Sequence, residues 1–179
     1  MNRKVLIISS SPRKNGNSDL LCDEFMRGAK EAGNIVEKVF LNELDIRYCN
    51  ACGYCVKHIG ECSIKDDMYS LKEKIINADV IVLSSPVYFY TMSAQLKTFI
   101  DRHAFFYSLV KDKEFYYIMT SADTNKGAMQ TLLEEFHAYA ICLSGSKEKG
   151  AVYGVDTWDK GDVSNRPVMH EAYQMGLTI

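Results

Sequence analysis

With 179 residues, 47% hydrophobic and 25% charged, the chain has the size of one domain with a substantial core and is too short for two ordinary ones. Its 21 basic and 23 acidic side chains are interspersed and sum to −2, so they offer no basic stripe to nucleic acid or an anionic membrane. The apolar run Val5–Ile8 is too short for an export signal or a membrane span, which leads to a cytoplasmic expectation, and six cysteines in a reducing compartment point to metal or redox chemistry.

Val5–Ile8 reads as a buried parallel strand, followed by a polar loop to Ser18. Asn17 or Ser18 is expected to cap a helix carrying Leu21, Phe25, Ala29 and Ala32, which stops at Gly33-Asn34 before a second strand, Ile35–Leu41. After a cysteine-rich segment, Asp66 and Asp67 lead a helix with Met68, Leu71 and Ile75 on one face. Val80–Leu83 is the third strand, Ser93 to about Ala104 a helix, Glu114–Thr120 the fourth strand and Ala128–Leu143 a helix. A strand near Ala151–Val155 and a helix after Pro167 complete five strands alternating with five helices, the pattern of a doubly wound parallel sheet. Ligands of such sheets bind beyond the strand carboxyl ends where strand order reverses, so the loops after strands one, three and four are the candidate site.

The first of these, Ser9-Ser10-Ser11-Pro12-Arg13-Lys14-Asn15-Gly16-Asn17-Ser18, places hydroxyls, amides, two cations and a glycine between a buried strand and a helix N-terminus. Free backbone N–H groups and the helix dipole favour an anion there, which makes Ser9, Ser11, Arg13, Asn15, Asn17 and Ser18 candidate phosphate ligands. An ordinary polar loop with a capping serine remains open. No GxxxxGK loop ending in Ser or Thr follows any strand, and no GxGxxG opens a helix after the first, so ATP hydrolysis and a dinucleotide fingerprint lose support.

Ser11-Pro12-Arg13 through Gly16-Asn17-Ser18, together with Ser85-Pro86-Val87-Tyr88-Phe89-Tyr90-Thr91-Met92-Ser93-Ala94-Gln95-Leu96-Lys97, resemble the NADPH-dependent FMN reductase family of flavodoxin-like proteins. Trp158–Gly176 resembles that family's carboxyl end. The resemblance implies one three-layer flavodoxin-like domain over 1–179, strand order 2-1-3-4-5, with FMN at the sheet edge. It implies that Ser11, Arg13, Asn17 and Ser18 hold the FMN phosphate and that Pro86, Val87, Tyr88, Phe89 and Met92 line the ribityl chain and ring. Thr120–Gly127 occupies the place where the family closes over the pyrimidine side, with Thr120, Ser121 and Ala122 as the implied contacts, though family members often carry more glycines at the start of this segment, and Ser10 replaces a more usual glycine. A proline-anchored aromatic loop offers the apolar walls and backbone donors a flavin ring needs, while core packing or a subunit interface is the competing reading of each aromatic.

Cys49, Cys52 and Cys55 form CxxCxxC, and Cys62 follows within the same loop, 49–62. That spacing resembles the iron–sulfur flavoprotein branch of the family and implies a 4Fe-4S cluster on these four thiolates, with Gly53 and Gly60 easing the turns. Metal-free thiols, a zinc site and a disulfide stay open, zinc being less natural without two separated CxxC pairs. Cys22 and Cys142 read as small apolar residues of helices. His58 reads as solvated, and His103, His137 and His170 lie on expected helices without partner motifs.

No catalytic side chain is expected, because a flavin carries the chemistry. The favoured function is transfer of electrons from NAD(P)H or a similar donor through FMN, onward to the cluster or another acceptor. The alternatives are a cluster-free NAD(P)H:quinone or azo reductase and a flavodoxin-like electron carrier, the latter weakened by the near-neutral charge. The family implies a homodimer or homotetramer, for which Phe105–Tyr107 reads as exposed interface.

Overall fold

The computed structural model describes residues 2–179. Strands β1 (Lys4–Ser9), β2 (Ile35–Phe40), β3 (Val80–Pro86), β4 (Glu114–Thr120) and β5 (Lys147–Gly154) form one parallel sheet in the expected order 2-1-3-4-5. Register aligns Ser9 with Phe40 and with Ser84, and Pro86 with Thr120. The carboxyl ends of the central strands therefore emerge together along one edge.

Side chains alternate across a strand, so each central strand feeds two cores. Val5, Ile7, Val80, Val82, Tyr116 and Ile118 face α1 (Asn17–Glu31) and α6 (Pro167–Leu177). Leu6, Ile8, Ile81, Leu83, Phe115 and Tyr117 face α3 (Met68–Asn77), α4 (Ala94–Asp101) and α5 (Gln130–Ala140). Burial of one such side chain stabilises by roughly 1.5–3 kcal/mol, which is why near-continuous apolar runs read as central strands. Helices α1 and α6 touch backbone to backbone: a Cβ on Gly28 would lie 2.1 Å from the Tyr173 carbonyl oxygen, and one on Gly176 2.2 Å from that of Phe25. Glycine at both positions is a requirement of this crossing.

Several boundaries differ from expectation. Gly16, rather than Asn17 or Ser18, is the N-cap of α1, its carbonyl accepting the N–H of Leu20 at 2.9 Å, while the Asn17 side chain bonds to another loop. The expected helix to Ala104 ends at Asp101 and tightens into a 3-10 turn, Arg102–Phe105, whose Arg102, His103 and Phe105 turn inward. Helix α5 is likewise preceded by a 3-10 turn, Lys126–Met129, and β5 begins at Lys147. A sixth, four-residue helix, α2 (Tyr54–Lys57), lies inside the cysteine segment behind Gly53 at φ 71°. Phe105 and Phe106 are buried, so only Tyr107 of the expected exposed trio is at the surface. Cys22 is buried as expected, but Cys142 is exposed just beyond α5. Among the described residues no helix is long and apolar enough to cross a membrane.

Candidate functional site

The loops after β1, β3, β4 and β5 surround a cavity of about 230 Å³. Its walls are Ser11, Arg13, Gly16, Asn17 and Ser18 after β1, Pro86, Val87 and Tyr88 after β3, Thr120, Ser121 and Ala122 at the end of β4, and Thr157, Trp158 and Lys160 after β5.

The first loop folds back on itself. Arg13 N–H donates to Ser11 Oγ at 3.1 Å, and Gly16 N–H donates to the Arg13 carbonyl at 2.9 Å. A Cβ at Gly16 would stand 2.9 Å from that carbonyl oxygen, so only glycine fits. Ser18 Oγ is buried in the cavity wall and has no partner in the protein. A buried hydroxyl without a partner is costly, and this one sits in the first turn of a 15-residue helix whose free N–H groups favour an anion. A phosphate oxygen placed there would satisfy both.

Asn17 has a different task from the one its family position implies. Its Nδ2 donates to the Asp159 carbonyl at 2.8 Å and its Oδ1 accepts from Gly161 N–H at 3.0 Å, so its amide ties the loop after β5 to α1. Only its backbone N–H is left for a ligand. Ser9 and Asn15 do not line the cavity. Ser9 is fully buried and donates from Oγ to Asp19 Oδ1 at 2.9 Å, and the backbone N–H of Asn15, at φ 56°, donates to Asp19 Oδ2 at 2.9 Å. Lys38 from β2 reaches the same carboxylate. Burial pulls the Lys38 ammonium down, but its bonds to Asp23 and Asp19 outweigh this and leave it raised, hence charged. Asp19 and Lys38 thus shape the loop from below, and the sequence reading missed both, because an acid in a first helical turn reads simply as a dipole partner.

Behind the loop, Ser10 Oγ donates to the Ser84 carbonyl at 2.7 Å, and Ser93 Oγ lies 2.9 Å from Ser10 Oγ. The departure from glycine at Ser10 is thereby absorbed by a buried hydroxyl network joining β1, β3 and the start of α4. Val87 N–H donates to the Thr120 carbonyl at 2.7 Å, and Thr157 N–H and Oγ1 both donate to the Ser121 carbonyl, at 2.9 and 3.1 Å. Met92 is core, and Phe89 is 97% exposed, so neither lines the cavity. Tyr88 and Thr91 exchange backbone hydrogen bonds around Phe89 and Tyr90, whose φ values of 50° and 67° make a left-handed two-residue turn. Lys160 and Trp158 were missed as wall residues, although the rule that ligands sit beyond strand ends covers the loop after β5 as well.

The cysteine segment lies apart from the cavity. Cys49 and Cys52 are exposed, and Cys55 and Cys62 are half-buried. Among the described residues no three His, Cys, Asp or Glu side chains are gathered closely enough to hold a metal. The sulfurs nevertheless sit among donors: Ala51 N–H to Cys49 at 3.5 Å, Ile64 N–H to Cys62 at 3.4 Å, and the Ser63 hydroxyl at 3.1 Å from Cys52. The Ser63 hydrogen bond, followed by a backbone bond from Tyr54, holds the Cys52 thiol below the usual range. Four thiols on one loop, three of them with N–H or O–H donors, suit thiolate ligation. His58 is exposed and stacks on Tyr54.

The model of the NADPH-dependent FMN reductase family matches residues 3–151. An iron-sulfur flavoprotein of Methanocaldococcus jannaschii is 34% identical over 158 residues, covering 84% of this chain and 80% of that protein. One from Archaeoglobus fulgidus is 42% identical over 99 residues, 55% of this chain but only 44% of the relative. In fold, the chain is similar to an NAD(P)H:quinone oxidoreductase from Methanothermobacter marburgensis, with a TM-score of 0.81 at 15% identity over 99% of this chain and 96% of that one. A family match that runs from before β1 into β5, on a sheet of this order with a phosphate-suited loop, means that the chain belongs to the NADPH-dependent FMN reductase family.

Proposed function

We propose that the chain binds FMN in the cavity at the β1–β3 switch point and works as an FMN-dependent oxidoreductase supplied by NAD(P)H. The observation that carries this reading is the unpartnered Ser18 hydroxyl, buried in a cavity wall at the start of α1. Ser11, Arg13 and the backbone N–H groups of Asn17 and Ser18 would hold the phosphate, with Lys160 as a further cation on the wall. Pro86, Val87 and Tyr88 would flank the ribityl chain and ring, and Thr120–Ala122 would meet its polar edge. Bound FMN supplies hydride acceptance and the release of electrons singly or in pairs. The protein's part is to orient the ring, shield one side from water with Val87 and Trp158, and tune it through nearby donors.

Cys49, Cys52, Cys55 and Cys62 would hold a 4Fe-4S cluster, a one-electron acceptor suited to a flavin donor. This is supported by the thiol donor pattern and by the printed names of the 34% and 42% identical relatives. A cluster-free quinone or azo reductase is a second reading, favoured by Phe89, Tyr90 and Trp158, 97%, 62% and 76% exposed, which offer flat apolar surface for an organic acceptor.

Anaerobic purification followed by FMN, iron and acid-labile sulfide assays on one sample tests both readings. About four irons per chain together with FMN supports the relay, FMN without iron favours the second reading, and failure to bind added FMN ends both. Reduction of the bound flavin by reduced ferredoxin but by neither nicotinamide would favour the electron-carrier account and remove the NAD(P)H claim.

A further inference from the structure

Arg102 is the largest fully buried side chain among the described residues, 1% exposed, and lies outside the cavity wall. It follows α4 where the chain tightens into the 3-10 turn. Its guanidinium joins the two ends of the cysteine segment. Nη1 donates to the Arg47 carbonyl at 2.6 Å, just before Cys49, and Nη1 and Nη2 grip both carboxylate oxygens of Asp66 at 2.5 and 3.0 Å, just after Cys62. Nη2 also reaches the Ile64 carbonyl at 3.4 Å and the Cys62 sulfur at 3.7 Å. Asp66 in turn accepts the N–H of Arg47 at 3.0 Å. An apolar side chain would fill this space without the desolvation cost of a buried ion pair, so packing alone does not account for a forked cation here.

We infer that Arg102 is the positioning residue of the four-cysteine loop, closing it at its base and donating a charge-assisted hydrogen bond to the Cys62 sulfur. The inference rests on the reading that this loop holds an iron–sulfur cluster. The main chain of Cys62 is fixed independently, its N–H donating to Tyr69 Oη and its carbonyl accepting from that hydroxyl, both at 2.7 Å. The base of the segment is also tied without Arg102, by Arg47 Nη2 donating to the Lys65 carbonyl at 2.7 Å and Asp67 N–H donating to the Asp45 carbonyl at 3.1 Å. What Arg102 adds is therefore the two-pronged hold on Asp66 and the donor at sulfur. A cation beside a ligating thiolate favours the more negative, reduced state of the group it holds.

The test compares wild-type protein with Arg102→Lys, which keeps the charge but loses the fork. It also uses Arg102→Met paired with Asp66→Asn, so that no buried carboxylate is left unpaired and a folded variant is in hand if the lysine variant fails. Each is reconstituted anaerobically with iron and sulfide. Flavin content and circular dichroism should match wild type, while iron per chain falls in both variants or, in Arg102→Met paired with Asp66→Asn, which removes the donor at the Cys62 sulfur, the cluster's midpoint potential moves negative. In metal-free protein, amide exchange over 47–66 should accelerate several-fold. Wild-type exchange in both variants overturns the proposal, as does faster exchange with iron content and potential unchanged, which would leave Arg102 a structural clamp only. If wild-type protein takes up no iron, the cluster reading fails by itself; faster exchange in the variants then preserves the clamp, and unchanged exchange removes it.

Discussion

Lys38 Nζ lies 2.9 Å from Asp19 Oδ1, so a cation from β2 neutralises the buried carboxylate that underpins the loop after β1. Removing the cation with Lys38→Met leaves Asp19 buried and uncompensated near the site proposed for a dianion. The expected cost is about 1–3 kcal/mol of stability, less than for a fully enclosed pair because Lys38 remains partly exposed. FMN should bind on the order of tenfold more weakly, while riboflavin, which lacks the phosphate, should lose far less. Flavin fluorescence titrations with both ligands check this; equal losses would refute a charge effect at the phosphate.

Ser18→Ala should separate binding from stability. Its hydroxyl has no partner in the protein, so apo stability should stay level or rise by up to about 1 kcal/mol. FMN affinity should fall roughly ten- to a hundredfold with the loss of one hydrogen bond to a charged group. A urea melt of apo protein together with an FMN titration decides it. A clear loss of apo stability would mean that the hydroxyl serves the fold instead.

Burial lowers the His103 imidazole from 6.5 to about 4, despite its bond to the Phe99 carbonyl. Between these values the unfolded chain binds a proton that the folded chain refuses. Stability therefore falls as pH drops from about 6.5 towards 4 and levels off below, by roughly 3 kcal/mol for this group. Chemical denaturation of wild type and His103→Gln at pH 7 and pH 5 measures it: the variant should lose less on acidification, and parallel losses would assign the slope to other groups.

Phe89 holds φ 50° while 97% exposed, so its ring adds strain without core packing. Phe89→Asn, which tolerates the left-handed region, should leave stability level or raise it by up to about 1 kcal/mol. If the ring supports an organic acceptor, KM for a quinone should rise with FMN content unchanged. A fall in melting temperature of several degrees would show that the ring packs against something after all.

Short, mostly β-branched apolar runs such as Val5–Ile8 and Val80–Leu83, too short for helices and alternating with helical periodicity, were enough to read a doubly wound parallel sheet, since strands buried on both faces show as continuous apolar runs. The loops at its carboxyl edge were legible too: Ser11, Arg13 and Ser18, Pro86–Tyr88 and Thr120–Ala122 all meet at the cavity. What each side chain does there depends on partners far along the chain. Asn17 belongs to the loop at Asp159–Gly161, Ser9 to Asp19, and Asp19 to Lys38. Arg102, expected within the helix from Ser93 to about Ala104, is instead buried and bonded to the carbonyl of Arg47, 55 residues earlier. Local sequence determines periodicity and turn chemistry because these depend on near neighbours. The fate of a buried polar group is decided by whichever distant donor or acceptor the fold brings to it, since burial without one is too costly to survive.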